Sequence, residues 1–435
     1  MPSRKSHPTL GATAMSAEKM SEENSVRDEV RQWLSENWDP DMPLVQWRNM
    51  LADSGWGVPG WPKQWYGRNL PVALVNAVQE EILNAGAVGV AQSGVRMLAA
   101  ATLLEHATDF LKQKFLRRIL TGEDNWCQLF SEPGSGSDLA GLTTRADLQG
   151  DNWNINGQKV WTTSAHHAQY GLLLTRTDWD VSKHQGLSYF VIEIGQVGVE
   201  VRPLRQMNGH ASFNEVFMTD AVVPKDMLVG KLNQGWAVAM TTLANERRGA
   251  DGLRQFSSGD AGEGSIFKEL EAENKTAMEP YKWYPQRAGR ADWMLERAKA
   301  TGAIEDPVAR QEIARALILH KSSQWMARRA REAQLLGRPQ GPEGSLGKLA
   351  SSNVARAAAH VHTLISGADS MLSKEDGPVN GLIAEILISV PAVSIAGGTD
   401  EIQRNIISER VLGLPKEPRT DTDRPFRDVP RNITS

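Results

Sequence analysis

The sequence predicts an α+β multidomain chain, helical at both ends with strands between. Three observations carry that reading. Apolar residues recur at helical spacing up to about Gly122, the period shortens to that of strands from Trp126 to Val223, and helical spacing returns from Trp236 onward. With 435 residues of which 40% are hydrophobic, the chain can bury a large core and is long enough for two or three domains.

Taken in order, residues 1–20 are polar and patternless and are expected to be a disordered extension. Ser25 and Asp28 form a cap-like start before Val26, Val30, Trp33 and Leu34 at helical spacing. A Gly/Pro/Trp turn cluster follows from Ser54, and Pro71 to Ala87 and Val95 to Leu120 read as helices, giving an N-terminal helical domain over 21–122. The β domain is expected over 123–232. Leu148 to Trp153 reads as a hairpin with a Gly-first turn, Asn156-Gly157 as a second turn signal, and Tyr170–Thr175, Ser188–Glu193 and Phe213–Val223 as strands. A C-terminal helical domain over 233–414 has helical period at Trp236–Leu253, Pro307–Leu336, Ser345–Leu372 and Gly381–Val390. Its period lapses at about 255–301, which reads as an irregular insertion, longer than a connection requires. The Pro-rich, charged tail, 415–435, is expected to be loose or to lie on a neighbouring surface.

The net charge of −4 with dispersed basic residues argues against nucleic-acid binding. One cysteine leaves no intrachain disulfide framework, no apolar run has transmembrane length, and the first residues lack the apolar centre of a signal peptide. No membrane association is expected, and a cytoplasmic location is the default.

The chemistry centres on Cys127-Gln-Leu-Phe-Ser-Glu-Pro-Gly-Ser-Gly-Ser-Asp-Leu-Ala-Gly-Leu-Thr-Thr-Arg145, an apolar strand, a Gly/Ser loop and a Thr-rich strand. Such a loop offers backbone N–H groups and hydroxyls to a flat or anionic ligand. Its glycines do not fit Gly-x-Gly-x-x-Gly and no Lys-Ser/Thr follows, so neither a dinucleotide fingerprint nor a P-loop is present. On the loop alone, a surface turn explains it equally well.

Two further motifs change that balance. The first stretch resembles the flavin-binding signature of acyl-CoA dehydrogenases. Trp153-Asn-Ile-Asn-Gly-Gln-Lys-Val-Trp161-Thr-Thr163-Ser resembles the family's second signature, and Ile395-Ala-Gly-Gly-Thr-Asp-Glu-Ile-Gln-Arg-Asn through Glu-Arg-Val-Leu-Gly-Leu414 its third. Together they span nearly the whole chain. The resemblance implies an N-terminal α-helical domain, a middle β-barrel-like domain and a C-terminal α-helical bundle, with FAD as cofactor, lying between the β domain and the C-terminal helices. It implies an acyl-CoA substrate, electron-transfer flavoprotein as electron acceptor, and a homodimer or homotetramer.

It also implies residues. Phe130 and Ser131 would meet the pyrimidine edge of the flavin, and Gly136 and Ser137 the phosphates or the CoA arm. Trp161 would cover the ring, Thr163 would donate to N5, and Thr399 and Glu401 would lie beside the dinucleotide. Dehydrogenation of a thioester needs a carboxylate base for the α proton and donors to the thioester oxygen. Most members carry the base directly before the Gly-Thr of the third motif, and Gly397 stands there in this sequence. Other members carry it on the first C-terminal helix before an Arg, which matches Glu246-Arg247. The resemblance therefore makes Glu246 the base, Arg247 a residue that steadies the site, and the Gly397 N–H a donor to the thioester oxygen. The plain alternative puts Glu246 on a solvated helix face.

The family's Arg-x-x-Phe-Gly element has no match here, and its Gln-x-x-Gly-Gly element survives only around Ser366-Gly367. No metal is expected. His166 and His167 are adjacent and should point apart, His360 and His362 should face different sides of a helix, and Cys127 should be buried. The third motif resembles bacterial members that handle branched, cyclic or steroid-derived acyl groups. The competing readings are a catalytically silent subunit of a heteromeric dehydrogenase and a flavin oxidase or monooxygenase of the same fold.

Overall fold

The computed structural model describes residues 17–92, 94–252, 262–335, 341, 343–418, 421 and 423–430. They divide into two compact units, one within 1–90 and 257–270 and the other within 91–256 and 271–435.

The first unit holds α1 (Ala17–Asn37), α2 (Leu44–Ser54) and α3 (Val72–Asn84). Helix α1 begins before the expected Ser25 start, and the Arg27–Glu23 pair at 2.8 Å ties its first turns together at i, i+4 spacing. Buried Glu81 on α3 accepts from both Arg27 and Arg31 of α1, each at 2.7 Å. The arginines hold its carboxyl below the usual range. Fully buried Trp47 donates from Nε1 to Val88 O at 2.6 Å, with the Trp33 and Trp38 rings against it.

The second unit begins with α4 (Arg96–His106) and α5 (Asp109–Thr121). The sequence suggested one helix here. Ala107 is extended instead, and Thr108 caps α5 by accepting from Leu111 N at 3.4 Å. Eight strands follow: β1 (Trp126–Leu129), β2 (Arg145–Gln149), β3 (Asn152–Thr163), β4 (Tyr170–Arg176), β5 (Leu187–Glu193), β6 (Val199–Leu204), β7 (Phe213–Pro224) and β8 (Leu228–Val229). They form one sheet in the order β6-β7-β3-β2-β4-β5-β8, with β1 parallel to β4. The Gly150 turn between β2 and β3 is as expected, with φ +63°. Asn156-Gly157 is not a turn. It lies within β3 at a register shift, where a Cβ on Gly157 would meet Thr144 at 2.5 Å, so the glycine marks a close backbone approach.

Helix α6 (Gly235–Gly252) packs on α4 and β5. Thr242 of α6 joins Thr102 of α4 at 2.9 Å and the Tyr189 hydroxyl of β5 at 3.0 Å, a buried polar knot that fixes the helix against the sheet.

The stretch expected to be irregular at 255–301 is largely helical where it is described, and residues 255–261 lie outside the described residues. It holds α7 (Ser265–Met278), α8 (Tyr284–Arg287) and α9 (Met294–Ala300). These pieces are short and punctuated by Gly, Pro and Trp, which hides their period. Helices α10 (Pro307–Leu335), α11 (Glu343–Ser366), α12 (Leu382–Ser389) and α13 (Asp400–Arg410) complete the unit. Met294, Ile313, Ala358 and Val361 form one core among them, and Ala355, Ile383, Ile386 and Val390 another.

Where it is described, the tail lies against the β domain of its own chain. Phe426 is buried under the guanidinium of Arg176, 3.3 Å from the ring centroid, and its N–H donates to Val181 O at 2.8 Å. No helix among the described residues is long and apolar enough to cross a membrane.

Candidate active site

The Gly/Ser loop leaving β1 is held from within by a buried ion pair. Glu132 accepts from Thr143 N at 2.7 Å, Thr144 N at 2.8 Å and Lys159 Nζ at 2.9 Å, and Lys159, fully buried on β3, also donates to Phe130 O at 3.0 Å. Burial alone would raise the Glu132 carboxyl, but the Lys159 charge and the Thr143 and Thr144 donors outweigh it and bring it down to about 2. The loop's base is therefore rigid while its tip is open. Gly136 and Ser137 are exposed, and a Cβ on Gly136 would touch nothing. The Phe130 and Ser131 carbonyls are taken by Lys159 and by Val160 N, so those residues have backbone donors and the Ser131 hydroxyl left for a ligand. At the loop's far end, Lys183 bridges Asp138 at 2.9 Å to Asp421 of the tail.

On β3 a second register shift, between Lys159 and Thr162, turns Trp161 outward with φ +61°, a left-handed conformation that bulky residues rarely hold. Its ring is 56% exposed and meets Phe213 edge-on at 5.7 Å. Thr163, half-buried, sits at the strand's end, and the Thr162 hydroxyl beside it is buried without a protein partner. A flat ring of exposed Trp161 beside an open glycine loop and unpaired hydroxyls fits a flavin.

Glu246 lies one turn beyond Thr242 on α6, so the buried threonine knot fixes the helical face that carries it. It is half-buried, and its Oε2 accepts from Gln128 Nε2 on β1 at 3.3 Å. Its charge also reaches the phenols of Tyr281 and Tyr284, which burial and that charge raise above the usual tyrosine range. Glu246 thus has polar groups of the unit beside it while its side chain stays partly exposed. Arg247 follows on the same helix, and its side chain lies outside the described residues.

Gly397 and Gly398 have φ of +69° and +84°, and fully buried Gln403 donates to both their carbonyls at 3.1 and 3.2 Å. Thr399 caps α13 by accepting from Ile402 N at 3.3 Å, so its hydroxyl already has structural work. Glu401 is exposed and pairs with Arg404 at 3.2 Å. Its neighbour Asp400 is the buried acid, held by Arg356 at 2.7 Å and Lys348 at 3.3 Å, which pin α13 to α11.

His166 and His167 do not point apart: a short 3-10 turn brings their rings to 4.0 Å between centroids, tilted 48° to each other. His362 is buried between Arg297 and Arg290 O, and His360 is exposed. Among the described residues no three His, Cys, Asp or Glu gather as for a metal. Sequence reasoning missed Gln128, Tyr281, Tyr284 and the Glu132–Lys159 pair, although Glu132 and Lys159 stand inside the first and second motifs.

The chain matches the acyl-CoA dehydrogenase N-terminal domain over residues 17–123, the middle domain over 127–221 and the C-terminal domain over 289–412. It is 34% identical over 421 residues to the acyl-CoA dehydrogenase IpdE1 of Mycobacterium tuberculosis, which covers 92% of this chain and 99% of that one. The chain belongs to the acyl-CoA dehydrogenase family. That family is one of flavoprotein oxidoreductases. The chain is also 35% identical to the acyl-CoA dehydrogenase FadE34 of the same organism, over 84% of this chain and 46% of that longer protein. Among solved structures, a Tcur3481-Tcur3483 steroid acyl-CoA dehydrogenase shares the fold with a TM-score of 0.63 at 24% identity, over 91% of this chain and 98% of that one. The matched middle and C-terminal domains leave residues 222–288 between them, the stretch that holds Glu246, Tyr281 and Tyr284.

Proposed function

We propose that this member of the family is an FAD-dependent dehydrogenase that converts an acyl-CoA thioester to the trans-2-enoyl-CoA, with Glu246 as the base. The observation that carries the reading is the Gln128–Glu246 hydrogen bond, which brings the α6 carboxylate to the strand leading into the flavin-signature loop. Gly397, where most relatives carry the base, has no side chain to compete with it.

In this reading Glu246 takes the α proton of the thioester, and Gln128 orients its carboxylate through one oxygen while the other faces the substrate. The Gly397 N–H donates to the thioester oxygen as negative charge develops there. Bound FAD would supply the hydride acceptor for the β hydrogen. Trp161, Thr163, Phe130 and Ser131 would hold its ring system, Gly136 and Ser137 its phosphates or the CoA arm, and Thr399 and Glu401 would lie beside the dinucleotide, with Thr399 doing so alongside its capping role. Arg247 would steady the site. The resemblance of the third motif to bacterial members that handle branched, cyclic or steroid-derived acyl groups supports such an acyl group, and electron-transfer flavoprotein is the proposed acceptor.

The test is anaerobic titration of the purified, FAD-loaded protein with a panel of acyl-CoAs. Bleaching of the flavin with formation of an enoyl-CoA is expected. A protein that cannot hold FAD overturns the reading, and rapid peroxide release in air would favour an oxidase instead.

A further inference from the structure

The unit that carries Glu246 also holds a cavity of about 310 Å³, at the small end for ligand pockets. Two observations join it to the proposed base. Tyr281, whose phenol senses the Glu246 charge, is part of its wall. Trp126 is another part, and it stands on β1 two residues from Gln128, on the same side of the strand. A thioester whose α carbon meets Glu246 would direct its acyl group into this space.

The wall is unlike that of a hydrocarbon chamber. Arg96, only 4% exposed, forms a 2.6 Å ion pair with Glu273 and donates to Asn125 Oδ1 at 2.7 Å and to Gly122 O and Asp124 O. The two full charges cancel, so the cavity offers no net charge to a carboxylate. What it does offer is neutral hydrogen-bonding capacity. Ser164, Asn125 and Tyr281 line it, and among the described residues neither the Ser164 hydroxyl, the Asn125 side-chain amide nor the Tyr281 hydroxyl donates to a protein group; His167 is part of the same wall. Burial keeps the Tyr281 phenol protonated and therefore a donor. An alkyl chain here would strip water from these groups and return no hydrogen bond in exchange.

Building on the dehydrogenase reading, we infer that this cavity is the acyl chamber and that it selects an acyl group bearing a neutral hydrogen-bonding oxygen, such as a ring ketone or hydroxyl, over a bare hydrocarbon or a terminal carboxylate. The donors come partly from Tyr281, in the stretch between the matched middle and C-terminal domains, so the preference would belong to this chain and not to the shared fold.

Three matched thioesters test it: cyclohexylpropanoyl-CoA, its ring ketone and its ring carboxylic acid, each used to bleach the FAD-loaded enzyme without oxygen. The ketone is expected to give a kcat/KM at least about tenfold above either of the others, the factor for one hydrogen bond of ordinary strength. Ser164→Ala and Tyr281→Phe should each shrink that ratio several-fold, by raising KM for the ketone more than for the hydrocarbon. Flavin bleached as fast by the hydrocarbon or the carboxylate overturns this inference while leaving the dehydrogenase reading intact, as does a ratio that neither variant changes. Flavin that no acyl-CoA in this set or the wider panel bleaches overturns both.

Discussion

Lys159 on β3 places its ammonium 2.9 Å from the carboxylate of Glu132, twenty-seven residues earlier, and both side chains are buried. Neither ion has water to fall back on, so removing one strands the other. Lys159→Met is expected to destabilise the protein by roughly 3–5 kcal/mol, read as a fall in Tm, and to loosen FAD because the Gly/Ser loop loses its base. Glu132 titrates at about 2 in the folded protein, below its unfolded value of about 4.3. Its contribution is therefore complete above the unfolded value and is lost as pH falls towards about 2, so the Tm difference between wild type and Lys159→Met should narrow across that acid range.

Glu246→Gln keeps shape and the Gln128 contact while removing the group that accepts a proton. Flavin bleaching by a good acyl-CoA is expected to slow by roughly 10²- to 10⁴-fold, with FAD content unchanged. A variant that bleaches as fast as wild type would show that Glu246 is not the base.

Restoring an acid at the position most relatives use is expected to fail. Gly397 has φ +69°, and a side chain there carries a penalty of roughly 1–2 kcal/mol. Gly397→Glu in the Glu246→Gln background should lower Tm and recover little of the bleaching rate. Stopped-flow reduction measures both variants on the same substrate.

Trp161 is 56% exposed, so Trp161→Ala should change the stability of the FAD-free protein by no more than about 0.5 kcal/mol. If its ring covers the flavin, FAD should nonetheless leave faster, and the visible spectrum of the bound cofactor should shift. Equal FAD retention in the two proteins would remove Trp161 from the site.

On α10, Ile318 and Trp325 are 65% and 67% exposed and lie seven residues apart, on one helical face. A homo-oligomer would cover such a stripe. Trp325→Glu is expected to lower the mass measured by light scattering to that of a smaller assembly, with the helical content of the chain preserved.

The helix–sheet–helix order was legible because each period persists for many residues, the signature motifs singled out the loop and Trp161, and the Glu246-Arg247 pair was singled out by its likeness to members that carry the base on the first C-terminal helix. What escaped depends on partners distant in sequence. Gln128 looked like one more strand residue, since Glu246 lies 118 positions away. Lys159 would ordinarily be assigned to solvent, and only the acid inside the loop gives it a reason to be buried. Tyr281 and Tyr284 sat in a stretch whose helices are too short and too interrupted to show a period. Thr399 was given to a ligand, and the structure shows a helix cap that its place before Asp400 and Glu401 could have signalled.

The burial of Phe426 against Arg176 has a consequence for how this protein is made. Arg176 also donates to Ala140 O at 2.6 Å and Leu142 O at 3.1 Å, in the segment that ends the Gly/Ser loop, and Lys183 ties the same loop to Asp421 across 238 residues of chain. The middle of the polypeptide therefore emerges from the ribosome long before the segment that seals it, and at roughly 5–20 residues per second the wait lasts well over ten seconds. During translation the β sheet can form while the cover on Arg176 is still missing, so the Gly/Ser loop gains its ties to the tail only once residues 421–426 have been made.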